Sequence, residues 1–227
     1  MPCRTSWLGF RMPRARSTLI ALAGSFAFQC AALAQGPAPL PEGIGLCGSL
    51  ENAYGPYDYR TIPAESRYLV EMAHFPPKVE ALRAGNTGLL GGDIDYTLRA
   101  IPNHHRALMA MVRLGERTRS TQPPGAKFPV ECYFDRAERF ARDDPMVHVL
   151  YGIYLAKSGR SKEAETQLAL AEQLGGSDPQ VVYNLGIGHL ELKHYDRSIA
   201  FAKKAESLGI KFDGLKQRLQ RAGKWPN

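Results

Sequence analysis

The sequence predicts an all-α fold: a helical solenoid of about three helix pairs, with a C-terminal capping helix and an irregular N-terminal wrap. The first observation is that the C-terminal half repeats itself every 34 residues, because a fixed period of this length is typical of stacked supersecondary units. The second is that each copy carries apolar residues at helical spacing between helix start and stop signals. The third is the composition, with 44% hydrophobic and 22% charged residues, which disfavours collagen, coiled coil and a disordered chain.

The first 34 residues have the features of a secretory signal peptide. They contain no acidic residue, they include the apolar run Ser17–Phe28, and they end in Ala32-Leu33-Ala34. A basic start, a short apolar core and a small-x-small site predict cleavage before Gln35 and export to the periplasm. The basic start consists of Arg4, Arg11, Arg14 and Arg16.

Two alternatives stay open for this leader. An uncleaved membrane anchor would need roughly 20 apolar residues, and the apolar run is shorter than that. Met12 is a second possible start, since the sequence after it also opens like a signal. Residues 35–43 are rich in proline and glycine, and we expect a flexible linker there.

Export changes the interpretation of charge and cysteines. The formal charge is +7, but four of the basic residues belong to the leader, and many of the others alternate with acids, so nucleic-acid binding is not expected. Two of the four cysteines also leave with the leader, and Cys47 and Cys132 remain. In an oxidising compartment this pair predicts one disulfide. A redox or metal-ligating pair is the alternative, although no CxxC motif supports it.

The repeat is clearest when residues 143–176 are aligned with 177–210. Residues of a third copy lie a further 34 positions back, and its opening proline, Pro102, precedes Pro145 by 43 positions, so an insertion of nine residues is predicted within Ser120–Pro129. The identities include Asp144 and Asp178, Pro145 and Pro179, Gly152 and Gly186, Ala171 and Ala205, and Leu174-Gly175 and Leu208-Gly209.

This pattern resembles the tetratricopeptide repeat, whose 34-residue unit is a pair of helices with small residues at the contacts. The residues that carry the resemblance are Tyr151-Gly152, Leu155, Ala164, Leu168 and Ala171 in one copy, and Leu185-Gly186, His189, Ser198, Ala202 and Ala205 in the next. The family's tryptophan position is occupied by His105, His148 and Val182. The segments Cys47–Arg60 and Gly92–Leu108 are also similar to exported proteobacterial repeat proteins, a resemblance that spans most of the chain after the leader and implies no particular activity.

We therefore expect residues 102–227 to form repeats plus a cap, and residues 44–101 to form a wrap with short helices over the open end. Residues 67–75 fit either a helix or a strand, and a short helix is predicted over Asp95–Ile101. The expected pairs are His105–Gly115 with Val130–Phe140, Met146–Gly159 with Lys162–Gly175, and Gln180–Lys193 with Asp196–Gly209, followed by the capping helix Asp213–Trp225.

No motif in the sequence predicts catalysis, since GxSxG, P-loop and HExxH patterns are all missing. We expect a non-enzymatic protein without a cofactor. Packing accounts for His105, His148 and His189 at repeat positions, whereas His74 and His104 are less well explained. A metal-, haem- or small-ligand-binding envelope protein that uses these histidines and the tyrosine-rich N-terminal segment is the alternative.

The first helices of the repeats are expected to line a concave groove that binds a partner protein or peptide in the envelope. The resemblance implies that Asn184 would hold a ligand backbone, and Arg106 and Arg113 could face a carboxylate. The alternative is that these positions simply face solvent, and the oligomeric state stays open. The groove residues predicted by repeat position are Asn103, Arg106, Ala110, Arg113, Val149, Ile153, Tyr183, Asn184 and Ile187.

Overall fold

The computed structural model describes residues 47–211 and 213–226, and within these ranges every regular element is an α-helix. The predicted signal peptide and linker lie outside the described residues. The helices are α1 (Ala64–His74), α2 (Pro77–Glu80), α3 (Leu90–Ala100), α4 (His105–Thr118), α5 (Val130–Phe140), α6 (Pro145–Lys157), α7 (Ser161–Gly175), α8 (Pro179–Glu191), α9 (Tyr195–Ser207) and α10 (Gly214–Arg221).

Helices α4 to α9 pack as three consecutive pairs. Each odd-numbered helix packs against the helix before it, and the even-numbered helices lie side by side, α4 against α6 and α6 against α8. Residues 34 positions apart in the second helices have the same environment, since all of them are buried. These sets are Val130, Ala164 and Ser198; Phe134, Leu168 and Ala202; and Ala137, Ala171 and Ala205.

Side-chain caps fix where the first helices begin. Asp144 accepts a hydrogen bond from Met146 N at 3.0 Å, and Asp178 accepts one from Gln180 N at 2.8 Å. A proline follows each aspartate at the first helical position, where a missing N–H costs nothing. In α4 the cap is His104, whose Nδ1 accepts from Ala107 N at 3.2 Å.

Glycines allow the central helices to approach closely. A Cβ built on Gly152 would lie 2.8 Å from Leu168 Cδ2, and one on Gly188 would lie 2.6 Å from the same atom. A Cβ on Gly186 would lie 2.5 Å from Leu215 Cδ2. These separations are shorter than any carbon–carbon contact that tight packing tolerates, so the middle and last pairs depend on having no side chain at these three positions.

The N-terminal wrap is more helical than expected. Residues 67–75, for which helix and strand were both open, form the main part of α1, which ends just before Pro76-Pro77. The helix predicted over Asp95–Ile101 begins five residues earlier, as α3, because Gly91 fits against the backbone of residues 124–126. A Cβ on Gly91 would lie 2.4 Å from Pro124 O.

One disulfide and one buried arginine hold the start of the wrap against α5. Cys47 and Cys132 are bonded, with their Cα atoms 5.0 Å apart, which confirms the predicted pairing. Arg136 is 1% exposed, and its Nη1 donates to the carbonyl oxygens of Cys47 at 3.1 Å and Ser49 at 2.5 Å. Its guanidinium also lies over the ring of Phe128, 5.0 Å from the ring centre.

Helix α10 covers the other end of the repeats. Leu215 and Leu219 are buried against α8 and α9, and Trp225 folds back to pack beside them. The last helix pair is thereby covered by a helix whose exposed face is basic and polar.

Candidate functional site

A groove of about 540 Å³ runs across the first helices of the three pairs. Its floor is apolar and consists of Met109 from α4 and of Met146 and Leu150 from α6. The side chains around this floor are polar or charged: Tyr59, Glu80, His105, Arg106, Arg113, Gln180 and Asn184. Such a combination of apolar floor and convergent polar groups is typical of binding sites.

The end of the groove at α4 is positively charged. Arg106 pairs with Glu80 at 3.1 Å, and its guanidinium packs over the ring of Phe75 at 5.7 Å. Arg113 donates from Nη2 to the main-chain oxygen of Glu80 at 3.2 Å and from Nε to that of Met109 at 3.3 Å. This end of the groove therefore contains two guanidinium groups and one carboxylate, which leaves a net positive charge for a ligand.

The opposite end, at α8, provides amide groups. Asn184 donates from Nδ2 to the main-chain oxygen of Gln180 at 2.8 Å and lies 3.8 Å from Met146 Sδ. Its Oδ1 atom has no hydrogen-bond partner among the described residues. An amide with a free carbonyl oxygen can accept a hydrogen bond from a ligand N–H.

A buried polar network holds the wall that the wrap contributes. Asp144 Oδ2 is 2.8 Å from His105 Nε2 and 2.8 Å from Asn103 Nδ2. Burial by itself would raise the pKa of Asp144, but the hydrogen bonds from His105 and Asn103 and the charge of Arg60 bring it below its usual value. Because Asn103 Oδ1 also accepts from Tyr59 N at 2.9 Å, the network fixes Tyr59 at the groove rim.

An ion pair between Asp58 and Arg60 strengthens the same wall. Asp58 receives hydrogen bonds from Arg60, the largest cause that lowers its pKa, and from Asn103 at 2.8 Å. Arg60 Nη2 also pairs with Asp143 Oδ1 at 3.0 Å. The wrap is therefore tied to the turn before α6 by charged hydrogen bonds, which are stronger than neutral ones.

Three of the predicted groove residues, Arg106, Arg113 and Asn184, do line the groove. The expectation of exposure is wrong for four others, since Asn103, Ala110 and Val149 are fully buried and Ile153 is 2% exposed. Asn103 serves the polar network, and the other three lie in the core. Tyr183 and Ile187 pack toward α10, and Tyr183 Oη accepts from Leu215 N at 3.2 Å.

The errors have two physical causes. In the first copy, the alignment on Pro102 has the wrong register; in the second copy, Val149 and Ile153 lie on the side of α6 that faces the core. Pro102 lies in a turn, and the residue equivalent to Asp144 and Asp178 is the cap His104. Counting from the caps places Arg106, Met146 and Gln180 at one position of successive helices. Counting from the aspartate caps would have found Met146, Leu150 and Gln180. Nothing in the sequence points to Tyr59 or Glu80. The groove residues that the repeat alignment missed are Tyr59, Glu80, His105, Met109, Met146, Leu150 and Gln180.

The less well explained histidines both have carboxylate partners. His104 is fully buried, and its Nε2 lies 3.0 Å from Glu71 Oε1. His74 Nδ1 lies 3.2 Å from Asp93 Oδ1. Among residues 47–211 and 213–226, no three histidine, cysteine or acidic side chains gather in a way that could hold a metal ion.

The histidines of the repeats have opposite environments. His148 is surrounded by Glu138, Gln167 and the main-chain oxygen of Arg142, and although burial opposes protonation, these acceptors raise its pKa to about 9. His189 stacks on Phe201, and burial lowers its pKa to about 4. Both side chains pack at repeat positions, and neither contacts the groove.

Comparison with family models, with curated proteins and with solved structures finds no match for this chain. In the part of the chain that the structure describes, no helix is both long and apolar enough to span a membrane. The chemistry of the groove must therefore be inferred from its own residues.

Proposed function

We propose that the chain is a non-enzymatic interaction module of the periplasm, and that its groove binds an extended peptide segment of an envelope protein. The observation that carries this proposal is the groove itself, an apolar floor that continues across α4 and α6 with guanidinium groups at one end and amides at the other.

The proposal includes a tetratricopeptide-like solenoid for α4–α9. It is supported by the buried sets 34 residues apart in α5, α7 and α9 and by the cap–proline pairs that begin α6 and α8. In such an array the first helices line one continuous face. A ligand on this face would contact all three pairs at once.

The dimensions of the groove suit a short extended peptide. Neighbouring helices are usually 8–10 Å apart, so three of them span about 20 Å, which is the length of about six residues of extended chain. Met109, Met146 and Leu150 would receive one large apolar side chain of the peptide. Methionine suits this role because its flexible side chain adapts to different partners.

The charges of the groove favour a peptide with a carboxylate near that apolar side chain. Arg106 is about half exposed while it pairs with Glu80, so it can contact a further acid without losing its present partner. Arg113 lies about two turns further along α4 and also lines the groove. At the other end, Asn184 Oδ1 would accept an N–H of the peptide backbone.

Selection from a random heptapeptide display library tests this function. We expect enrichment of peptides in which Asp or Glu lies within three residues of a large apolar residue. The variant Arg106→Glu/Arg113→Glu should bind the selected peptides at least tenfold more weakly, because two favourable charge pairs become repulsive. Lys203→Glu/Lys204→Glu makes the same change of charge on the exposed face of α9 and should bind normally.

Two outcomes would contradict the proposal: a selection that yields no common pattern, or equal binding by the groove variant and the α9 control. Circular dichroism of both variants ensures that a loss of binding is not a loss of fold. The proposed export is tested separately by mass spectrometry of the protein from the periplasm, where a first residue of Gln35 is expected.

A further inference from the structure

A second, smaller cleft lies in the wrap, away from the groove. It has a volume of about 150 Å³ and lies between α1, α3 and the non-helical segment that contains Tyr54. The side chains that line it are Tyr54, Leu69, Val70, Ala73, His74 and Tyr96. All but one are apolar or aromatic, and a volume of this size is what one benzene ring fills.

His74 is the only side chain of this cleft with an ionisable ring nitrogen, and a buried carboxylate fixes its orientation. Asp93 is 1% exposed, and its Oδ1 lies 3.2 Å from His74 Nδ1. The face of the imidazole ring stacks on the ring of Tyr96, with the ring centres 3.8 Å apart. The ring is thereby held in one plane and in one direction.

The bonds of Asp93 determine which nitrogen of His74 carries a proton. Asp93 accepts hydrogen bonds from Asn86 N at 2.6 Å and from the hydroxyl of Thr87. Burial would raise the pKa of Asp93, but these bonds and the contact with His74 bring it below its usual value. An ionised carboxylate only accepts hydrogen bonds, so Nδ1 of His74 is the donor.

The other nitrogen, Nε2, is left available to a ligand. It has no hydrogen-bond partner among the described residues and is not buried, since the His74 side chain is 20% exposed. A neutral imidazole accepts a hydrogen bond at this atom, and an imidazolium donates one. A hydroxyl group can pair with either form, because it both donates and accepts.

We propose that this cleft is a binding site for a small hydroxylated aromatic molecule of the phenol class. The aromatic ring lies against Tyr54, Val70 and Ala73, and the hydroxyl bonds to His74 Nε2. In this proposal, Asp93 orients the imidazole of His74, and His74 recognises the hydroxyl group of the ligand. The site is independent of the groove, which shares no residue with it.

Titration with 4-methylphenol, followed by NMR of the ring protons of Tyr54 and Tyr96 in the full-length mature protein, tests the proposal. Toluene is the matched probe, because it has the same ring and methyl group but no hydroxyl. We expect a dissociation constant on the order of 1 mM for 4-methylphenol, as befits a ligand of this size, and binding of toluene about tenfold weaker.

Two variants separate the ring pocket from the hydroxyl contact. Ala73→Leu fills the cleft while Asp93 and His74 are both retained, and it should weaken the binding of 4-methylphenol at least tenfold. His74→Phe keeps a ring that can stack on Tyr96 but has no Nε2, so the two probes should bind it equally. Equal binding of the two probes to the wild type would overturn the proposal, as would unchanged binding by Ala73→Leu. Arg106→Glu/Arg113→Glu should bind both probes normally, so failure of the groove proposal and failure of this one are distinguishable.

Discussion

The start of the wrap and the repeats are held by different kinds of interaction. In residues 47–60, the contacts with residues after α3 include a disulfide, an ion pair from Arg60 to Asp143 and hydrogen bonds to side chains and carbonyl oxygens, and each joins residues far apart in sequence. In α6–α9, most contacts are apolar, and glycine and alanine lie at helix crossings. The comparison teaches that the start of the wrap relies on a few specific bonds, whereas the repeats rely on shape.

The largest effect is expected at the disulfide, which belongs to the wrap. Cys47→Ser/Cys132→Ser opens a loop that spans 85 positions, and in the chain-entropy model this costs about 4–5 kcal/mol of unfolding free energy. Denaturant unfolding measures this loss of unfolding free energy, and hydrogen exchange shows which residues lose protection. Residues 54–60 should lose protection strongly, while α8 and α9 lose less.

The control for this prediction is chemical. Wild-type protein in reductant should match the double variant, and the variant itself should not respond to reductant. If the variant unfolds at the same denaturant concentration as oxidised wild type, the covalent bond does not hold the wrap in the way described.

A smaller effect is expected when shape is altered in the repeats. Gly152→Ala places a methyl group 2.8 Å from Leu168 Cδ2, and overpacking of this kind costs about 1–3 kcal/mol. Gly92→Ala is the matched control in α3, since its Cβ would find its nearest neighbour at 3.5 Å. Removing a glycine from a helix without a clash should stabilise slightly.

Thermal and denaturant unfolding of the two glycine variants therefore should move in opposite directions. A loss of stability in both would mean that the surroundings of Gly92 are as tightly packed as those of Gly152. A gain in both would mean that Leu168 moves aside freely.

The smallest effects are expected from histidine protonation, and they distinguish two positions within the repeats. His148 links α6 to Glu138 of α5, and its pKa of about 9 lies above the ordinary value of 6.5. Its contribution is therefore complete below pH 6.5 and is lost as the pH rises through 9. For His189, whose pKa falls to about 4, the contribution is complete above pH 6.5 and is lost as the pH falls toward 4.

Unfolding free energies measured from pH 4 to 10 test both signs. His148→Gln should remove about 2 kcal/mol of the alkaline decline, and His189→Leu should remove a similar part of the acid decline. His194→Gln, at a side chain that is 40% exposed, is the control for His148→Gln. Unchanged slopes in either variant would show that its histidine has the same pKa in the folded and unfolded chain.

The repeat half was predictable from the sequence because its interactions are periodic. The 34-residue lag predicted the buried sets in the second helices, and the Asp-Pro pairs predicted where α6 and α8 begin. The groove was predictable only in part, because Pro102 suggested a register that the cap His104 does not follow, and because the 34-residue period does not show which side of α6 faces the core. Tyr59 and Glu80 reach the groove through tertiary contacts that leave no pattern in the sequence, so no periodicity could have predicted them.

The two capping aspartates have consequences for how such a sequence can vary. Asp178 only caps its helix, with bonds to Gln180 N and Val181 N, and serine, threonine or asparagine would serve there nearly as well. Asp144 caps α6 with one oxygen and with the other holds Asn103 and His105, so a neutral replacement would cap the helix and still release the wrap. Over evolutionary time, the first position should tolerate exchange among small polar residues, while the second should stay aspartate.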